Sequence, residues 1–178
     1  MYLNKGSVIG FDIGITSQDI MEYTLNLEKE FLKKFSISIT NNLNKLGYIT
    51  KDCTPWNKQF LSFGDCIKYK VREINGSLSK IHLSLEINNK KSKSIKSFVG
   101  EKDFKEEKIA KNIECSFKKL GFLDLGVNHS DIYAITNTFV PCIIIRIDCD
   151  VLEFERDDIM LSALSKTLVD SIINLGTI

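Results

Sequence analysis

The chain has 178 residues, of which 43% are hydrophobic and 26% charged. Those are the proportions of a globular domain that buries a core, and they exclude disordered and fibrous classes. A formal net charge of +1 lacks the basic excess of a general nucleic-acid binder, so no nucleic acid is expected among the partners. No apolar run approaches the ~20 residues of a membrane span. The opening MYLNKGSVIGFD lacks the apolar stretch and cleavage site of a signal peptide, so the expectation is a soluble chain, cytoplasmic as synthesised.

In chain order, residues 7–12 form a short apolar run before Gly14 and read as a buried strand. Over residues 17–46, Ile20, Leu27, Phe31, Ile39, Leu43 and Leu46 mark one face of a long helix, capped by Ser17 or Asp19 and stopped at Gly47. Residues 48–53 read as a second strand, 63–74 as a helix ending near Gly76, 80–87 as a third strand and 95–99 as a short strand before Gly100. Phe104, Ile109, Ile113, Phe117 and Leu120 give helical spacing over 102–120, terminated by Gly121. Residues 132–136 and 142–148 read as two further strands, and 155–174 as one closing helix with Leu161, Leu164, Leu168 and Ile172 inward.

Strands alternating with helices predict one α/β domain over residues 1–178. It is a three-layer sandwich, with a twisted, largely parallel sheet of about six strands flanked by helices, because parallel neighbours need crossover connections.

The five cysteines, at 53, 66, 115, 142 and 149, are odd in number and unpaired in spacing. They read as buried free thiols rather than a disulfide framework or a Cys-x-x-Cys zinc site. His82 shares a strand face with Ser84, Glu86 and Asn88. It lies roughly 13 Å from Glu86 along a strand, too far to share a metal, and this polar face reads either as exposed or as partly buried with a partner for its charge. His129 falls in a predicted loop, without a ligand role. Trp56, beside Pro55, Phe60 and Phe63, reads as cover for the core edge, with a sugar-stacking platform as the alternative. Lysines 90, 91, 93 and 96 read as a solvated loop, with attraction to an anionic cell-wall polymer as the alternative. Arg146 interrupts the apolar run 142–147, where an unpaired guanidinium is unfavourable, so it is expected to pair with carboxylates.

Four segments, in order, carry a family resemblance. Phe11-Asp12-Ile13-Gly14-Ile15 resembles the "Asp-Pro-Gly-His" end of the first strand in zinc-dependent N-acetylmuramoyl-L-alanine amidases of the endolysin and cell-wall-hydrolase type. Glu22-Tyr23-Thr24-Leu25-Asn26-Leu27 resembles their "Glu-x-x-x-Asn-Leu". Ile74-Asn75 and Ser84-Leu85-Glu86-Ile87-Asn88 resemble "Ala-Asn" and "Ser-Ile-His-x-Asn". Gly126-Val127, Ile132-Tyr133-Ala134-Ile135 and Thr138 to Arg146 resemble the segment that ends in "Thr-x-x-Pro-Ala-Val-Leu-Val-Glu".

The resemblance implies an amidase-like fold with a degenerate zinc site made of Ile15, Glu22, Glu86, Arg146 and Asn88. The family's zinc ligands fall on Ile15, Glu22 and Glu86, and its general base on Arg146. Ile15 has no lone pair, and Arg146 is permanently cationic. Zinc, the cofactor of active relatives, is therefore expected to be absent, with no catalytic residue left. Arg146 is expected to stand in for the metal between Glu22 and Glu86. The implied function is that of a pseudoenzyme that binds peptidoglycan fragments or another protein, reaching the cell wall only by a route without a signal peptide. Two alternatives stay open: an active peptidoglycan amidase with a rearranged metal site, and a purely structural or assembly subunit.

Overall fold

Alternation of apolar and polar residues along the strands sorts this chain into layers. The structure is a computed structural model that describes residues 3–15, 26–101 and 104–173. Strands β1 (Val8–Ile15), β2 (Ile49–Asp52), β3 (Ile81–Asn89), β4 (Ser94–Val99), β5 (Leu123–His129) and β6 (Cys142–Cys149) form one sheet in the order β2-β1-β3-β6-β4-β5. β2, β1, β3 and β6 run parallel, whereas β4 is antiparallel to β6 and β5 follows β4. The largely parallel α/β sandwich expected from the sequence is thus the observed architecture.

One face of the sheet presents Ile9, Phe11 and Ile13, then Leu83, Leu85 and Ile87, then Ile143, Ile145 and Ile147, all buried. Against it lie helices α1 (Asn26–Lys45), α3 (Phe104–Lys118) and α6 (Asp158–Ile173), through Phe31, Phe35, Ile39, Ile113, Phe117, Leu164 and Leu168. This is the main core. Each residue between those apolar positions points to the opposite face. That second face carries Gly10, Asp12, Gly14, His82, Ser84, Glu86, Arg146 and Asp148, and α2 (Phe63–Gly76) and α4 (Tyr133–Thr136) lie over part of it.

Helix ends follow their local chemistry. Ser62 caps α2: its Oγ accepts from Asp65 N at 3.1 Å and donates to the Asp65 carboxylate at 2.7 Å. Gly47 and Gly121, at φ +88° and +86°, take the left-handed conformation that stops α1 and α3.

Three expectations are corrected. Residues 132–136 do not form a strand. They wind a single helical turn, in which Ile132 O accepts from Ile135 N and Thr136 N; periodicity cannot sort so short an apolar run. The strand paired with β4 is β5, whose Asp124 and Gly126 resemble a turn in sequence. As an edge strand it leaves Leu123 63% exposed. The closing helix is two helices, α5 (Val151–Arg156) and α6, because Asp157 Oδ1 accepts from Ile159 N and Met160 N and starts the second one. The first part of the long predicted helix, with Ser17, Asp19 and Glu22, lies outside the described residues.

Candidate functional site

Parallel sheets expose their ligand-binding crevices at the carboxyl ends of their strands. Near that end Gly14, Glu86, Arg146 and Lys96 stand in one register row across β1, β3, β6 and β4. Arg146 donates from Nε and Nη2 to the same Glu86 oxygen, Oε2, at 3.0 and 2.7 Å. The pair is half-buried, with 38% of the arginine side chain and 27% of the glutamate side chain exposed. The guanidinium also lies over the Phe98 ring, 5.1 Å from its centroid.

Below this row the polar face closes over. Asp12 is 1% exposed and receives Lys70 Nζ at 2.5 Å and His82 Nε2 at 2.8 Å. Burial pushes the Asp12 carboxyl up, but the Lys70 ammonium and the His82 hydrogen bond outweigh it and hold the group well below the ordinary carboxylate range. Burial also pulls the Lys70 ammonium down, and the Asp12 charge more than reverses that, so Lys70 is raised. The bond to an ionised carboxylate places a proton on His82 Nε2; Nδ1 has no hydrogen-bond partner among the described residues. A Cβ at Gly10 would lie 2.7 Å from that Nδ1 and 2.5 Å from Ser79 Oγ, so only glycine leaves the ring its place. A Cβ at Gly14 would meet Lys70 Nζ at 3.2 Å, which sets the ammonium beside the Glu86 row.

The sequence-derived candidates separate in space. Glu86 and Arg146 come together. Ile15 ends β1 in register with Ile87, and Glu22 lies outside the described residues. Asn88 donates to Asp148 Oδ1 at 2.6 Å, one step beyond the Glu86 row. His82 and Ser84 are buried, which decides against a fully exposed polar face. His129 ends the edge strand β5, away from this row, with Nδ1 against Gly100 O at 3.2 Å. Trp56 packs on the core and donates to Asp52 Oδ2 at 2.9 Å, as a core-edge residue does.

The lysines do not form one solvated loop. Lys90 pairs with Asp148 and Lys93 with Glu153, each at 3.1 Å, and Lys96 belongs to β4. Cys53, Cys66, Cys142 and Cys149 are buried free thiols, and Cys115 is exposed. Burial, reinforced by the Asp12 charge, pushes the Cys53 thiol up to about 12, so it is inert as a nucleophile.

Asp12, Lys70 and His82 as a group escaped the sequence reading. The available signal was Lys70 itself, which shares the face of α2 that carries the buried Cys66 and Ile74. A charge on such a stripe needs a buried counter-ion.

The two described residues at positions that the resemblance assigns to zinc ligands, Ile15 and Glu86, do not fit a zinc ion. Ile15 supplies no donor atom, Glu86 Oε2 already accepts two guanidinium hydrogen bonds, and the Arg146 and Lys70 cations border the row. Arg146 has no basic lone pair to act as general base. Among the described residues, no group of three or more His, Cys, Asp and Glu side chains is disposed to hold a metal ion.

No protein-family model matches the sequence, and no curated protein matches it. Solved structures do match by shape. An endolysin catalytic domain targeting Clostridia difficile superposes with a TM-score of 0.76 at 15% identity, covering 94% of this chain and 97% of that one. An N-acetylmuramoyl-L-alanine amidase from Clostridium difficile 630 gives 0.76 at 14% identity, covering 98% and 99%. The CwlD amidase from Clostridioides difficile, solved in complex with the GerS lipoprotein, gives 0.70 at 13% identity, covering 94% and 96%. With its strand order, layers and carboxyl-end row in place, the chain has the fold of the N-acetylmuramoyl-L-alanine amidases over nearly its whole length.

Proposed function

We propose that this chain is a metal-free, non-hydrolytic protein on the amidase fold that binds peptidoglycan fragments at the carboxyl end of its parallel strands. The observation that carries this reading is the pair of hydrogen bonds from Arg146 to Glu86. A glutamate held by a guanidinium is a poor ligand for a divalent ion, and a guanidinium at the general-base position takes no proton from water. Hydrolysis of an amide on this fold needs a Lewis acid and an activated water; neither role has a side chain to serve it in this row. Binding has what it needs. The row is partly open to water, rigidly placed on adjacent strands, and offers both a hydrogen-bond acceptor and donors.

The test is incubation of the purified protein with purified cell walls. Protein that sediments with the walls and releases no amino-sugar peptides above a heat-killed control supports the reading. Released peptides overturn the non-hydrolytic part, and protein that stays in the supernatant overturns the binding part.

A further inference from the structure

Lys96 on β4 and Arg146 on β6 are direct antiparallel neighbours. Two cations facing each other across strands are unfavourable unless something negative lies between them. Here both also gather on one ring: the Lys96 ammonium stands 5.3 Å and the Arg146 guanidinium 5.1 Å from the Phe98 centroid. Among the described residues, the one carboxylate bonded to them is Glu86, and it is bonded to Arg146 and not to Lys96. Lys96 has no ion pair among the described residues, whereas Asp12 is already matched by Lys70. Among the described residues, the row therefore carries one positive charge without a counter-ion. Arg146 Nη1 and Glu86 Oε1 make no hydrogen bond to a described residue.

We propose that Lys96 and Arg146 clamp a carboxylate of the bound ligand, while Glu86 Oε1 accepts from a neighbouring N–H of the same molecule. The ligand class is a peptide that carries a free carboxylate next to an amide. This rests on the reading of the face as a wall-fragment site and names the group by which a fragment is held. A carboxylate between the cations removes their repulsion and gains charge-assisted hydrogen bonds from both. Glu86 keeps the guanidinium plane fixed, so little ordering is left for the ligand to drive.

The experiment is a calorimetric titration at low salt with three probes: an N-acetylmuramoyl dipeptide with one free carboxylate, the same molecule with that group capped as a methylamide, and a sugar-free N-acetyl dipeptide acid. The free acid is expected to bind about tenfold tighter than the methylamide, the loss of roughly one charge-assisted contact. Lys96→Gln is expected to erase that difference and Lys96→Arg to retain it. The sugar-free acid is expected to bind weakly, and to lose that binding in Lys96→Gln. Equal affinity for acid and methylamide, or an undiminished preference in Lys96→Gln, overturns the clamp and leaves the wall-fragment reading standing. Failure of both muramoyl probes while the sugar-free acid binds overturns the wall-fragment reading and leaves the clamp. No binding by any probe overturns both. Inorganic phosphate competing as strongly as the acid marks a general anion site and overturns the carboxylate assignment.

Discussion

Glu86 and Arg146 face each other in register on β3 and β6, with two guanidinium nitrogens on a single carboxylate oxygen at 3.0 and 2.7 Å. The pair is half-exposed, so water screens part of its attraction and softens the penalty of breaking it. A fully buried pair would lose several kcal/mol with one partner; this one is worth less. Arg146→Ala is expected to lower the unfolding free energy by about 1–2 kcal/mol. A double-mutant cycle with Glu86→Gln, followed by urea unfolding, isolates the coupling. A variant that unfolds like wild type would show that the pair contributes nothing.

The deeper cluster responds more strongly. Lys70→Met removes the main group that keeps the buried Asp12 ionised, and an uncompensated buried charge costs about 3–5 kcal/mol. Its pH dependence shifts as well. In wild type the depressed Asp12 contributes stability that is present above its unfolded pKa of about 3.9 and is lost as pH falls through its low folded value. With Lys70 gone, only His82 opposes the effect of burial and the Asp12 carboxyl is less depressed, so the variant's loss of stability on acidification begins at a higher pH than in wild type. Chemical unfolding of both proteins at pH 4 and pH 7 reads this difference. Parallel pH profiles would contradict it.

Glu86 and Arg146 were legible in the sequence because each interrupts an apolar strand pattern, and the alternation of two fixes them on one face. Asp12, Lys70 and His82 were not, since their contacts join positions 58 and 70 residues apart and depend on how α2 crosses the sheet. The layers and the largely parallel sheet followed from the βα alternation; the strand order did not. β5 was hidden because an edge strand needs apolar residues on fewer sides, and Asp124 and Gly126 resemble a turn. The split of the last helix was visible in principle, in Asp157 placed to cap a following apolar run. The stretch that carries Glu22 lies outside the described residues, so the third carboxylate of the expected cluster stays a sequence expectation.

On the far side of the sheet, Glu114 of α3 is 2% exposed and its Oε1 has no hydrogen-bond partner among the described residues. Burial, with the neighbouring Asp124 carboxylate, pushes it up to about 7, against the pull of Ser97. A raised folded-state pKa means that its stabilising effect is complete below the unfolded value of about 4.5 and is lost as pH rises through 7. Because Asp124 is exposed to water, the loss is on the order of 2 kcal/mol rather than the full linkage value. Glu114→Gln is expected to melt higher than wild type at pH 8 and to show a flatter profile between pH 5 and pH 8. Thermal melts across that range check it; a variant less stable than wild type at pH 8 would contradict it.

On the proposed reading, the Arg146–Glu86 pair stands where active amidases of this fold hold their metal. A calorimetric titration of the metal-stripped protein with zinc at neutral pH tests it most directly. No stoichiometric binding is expected at micromolar zinc, because Glu86 is bonded to a guanidinium and Ile15 offers no donor. One zinc bound per chain with submicromolar affinity, and lost in Glu86→Ala, would contradict it.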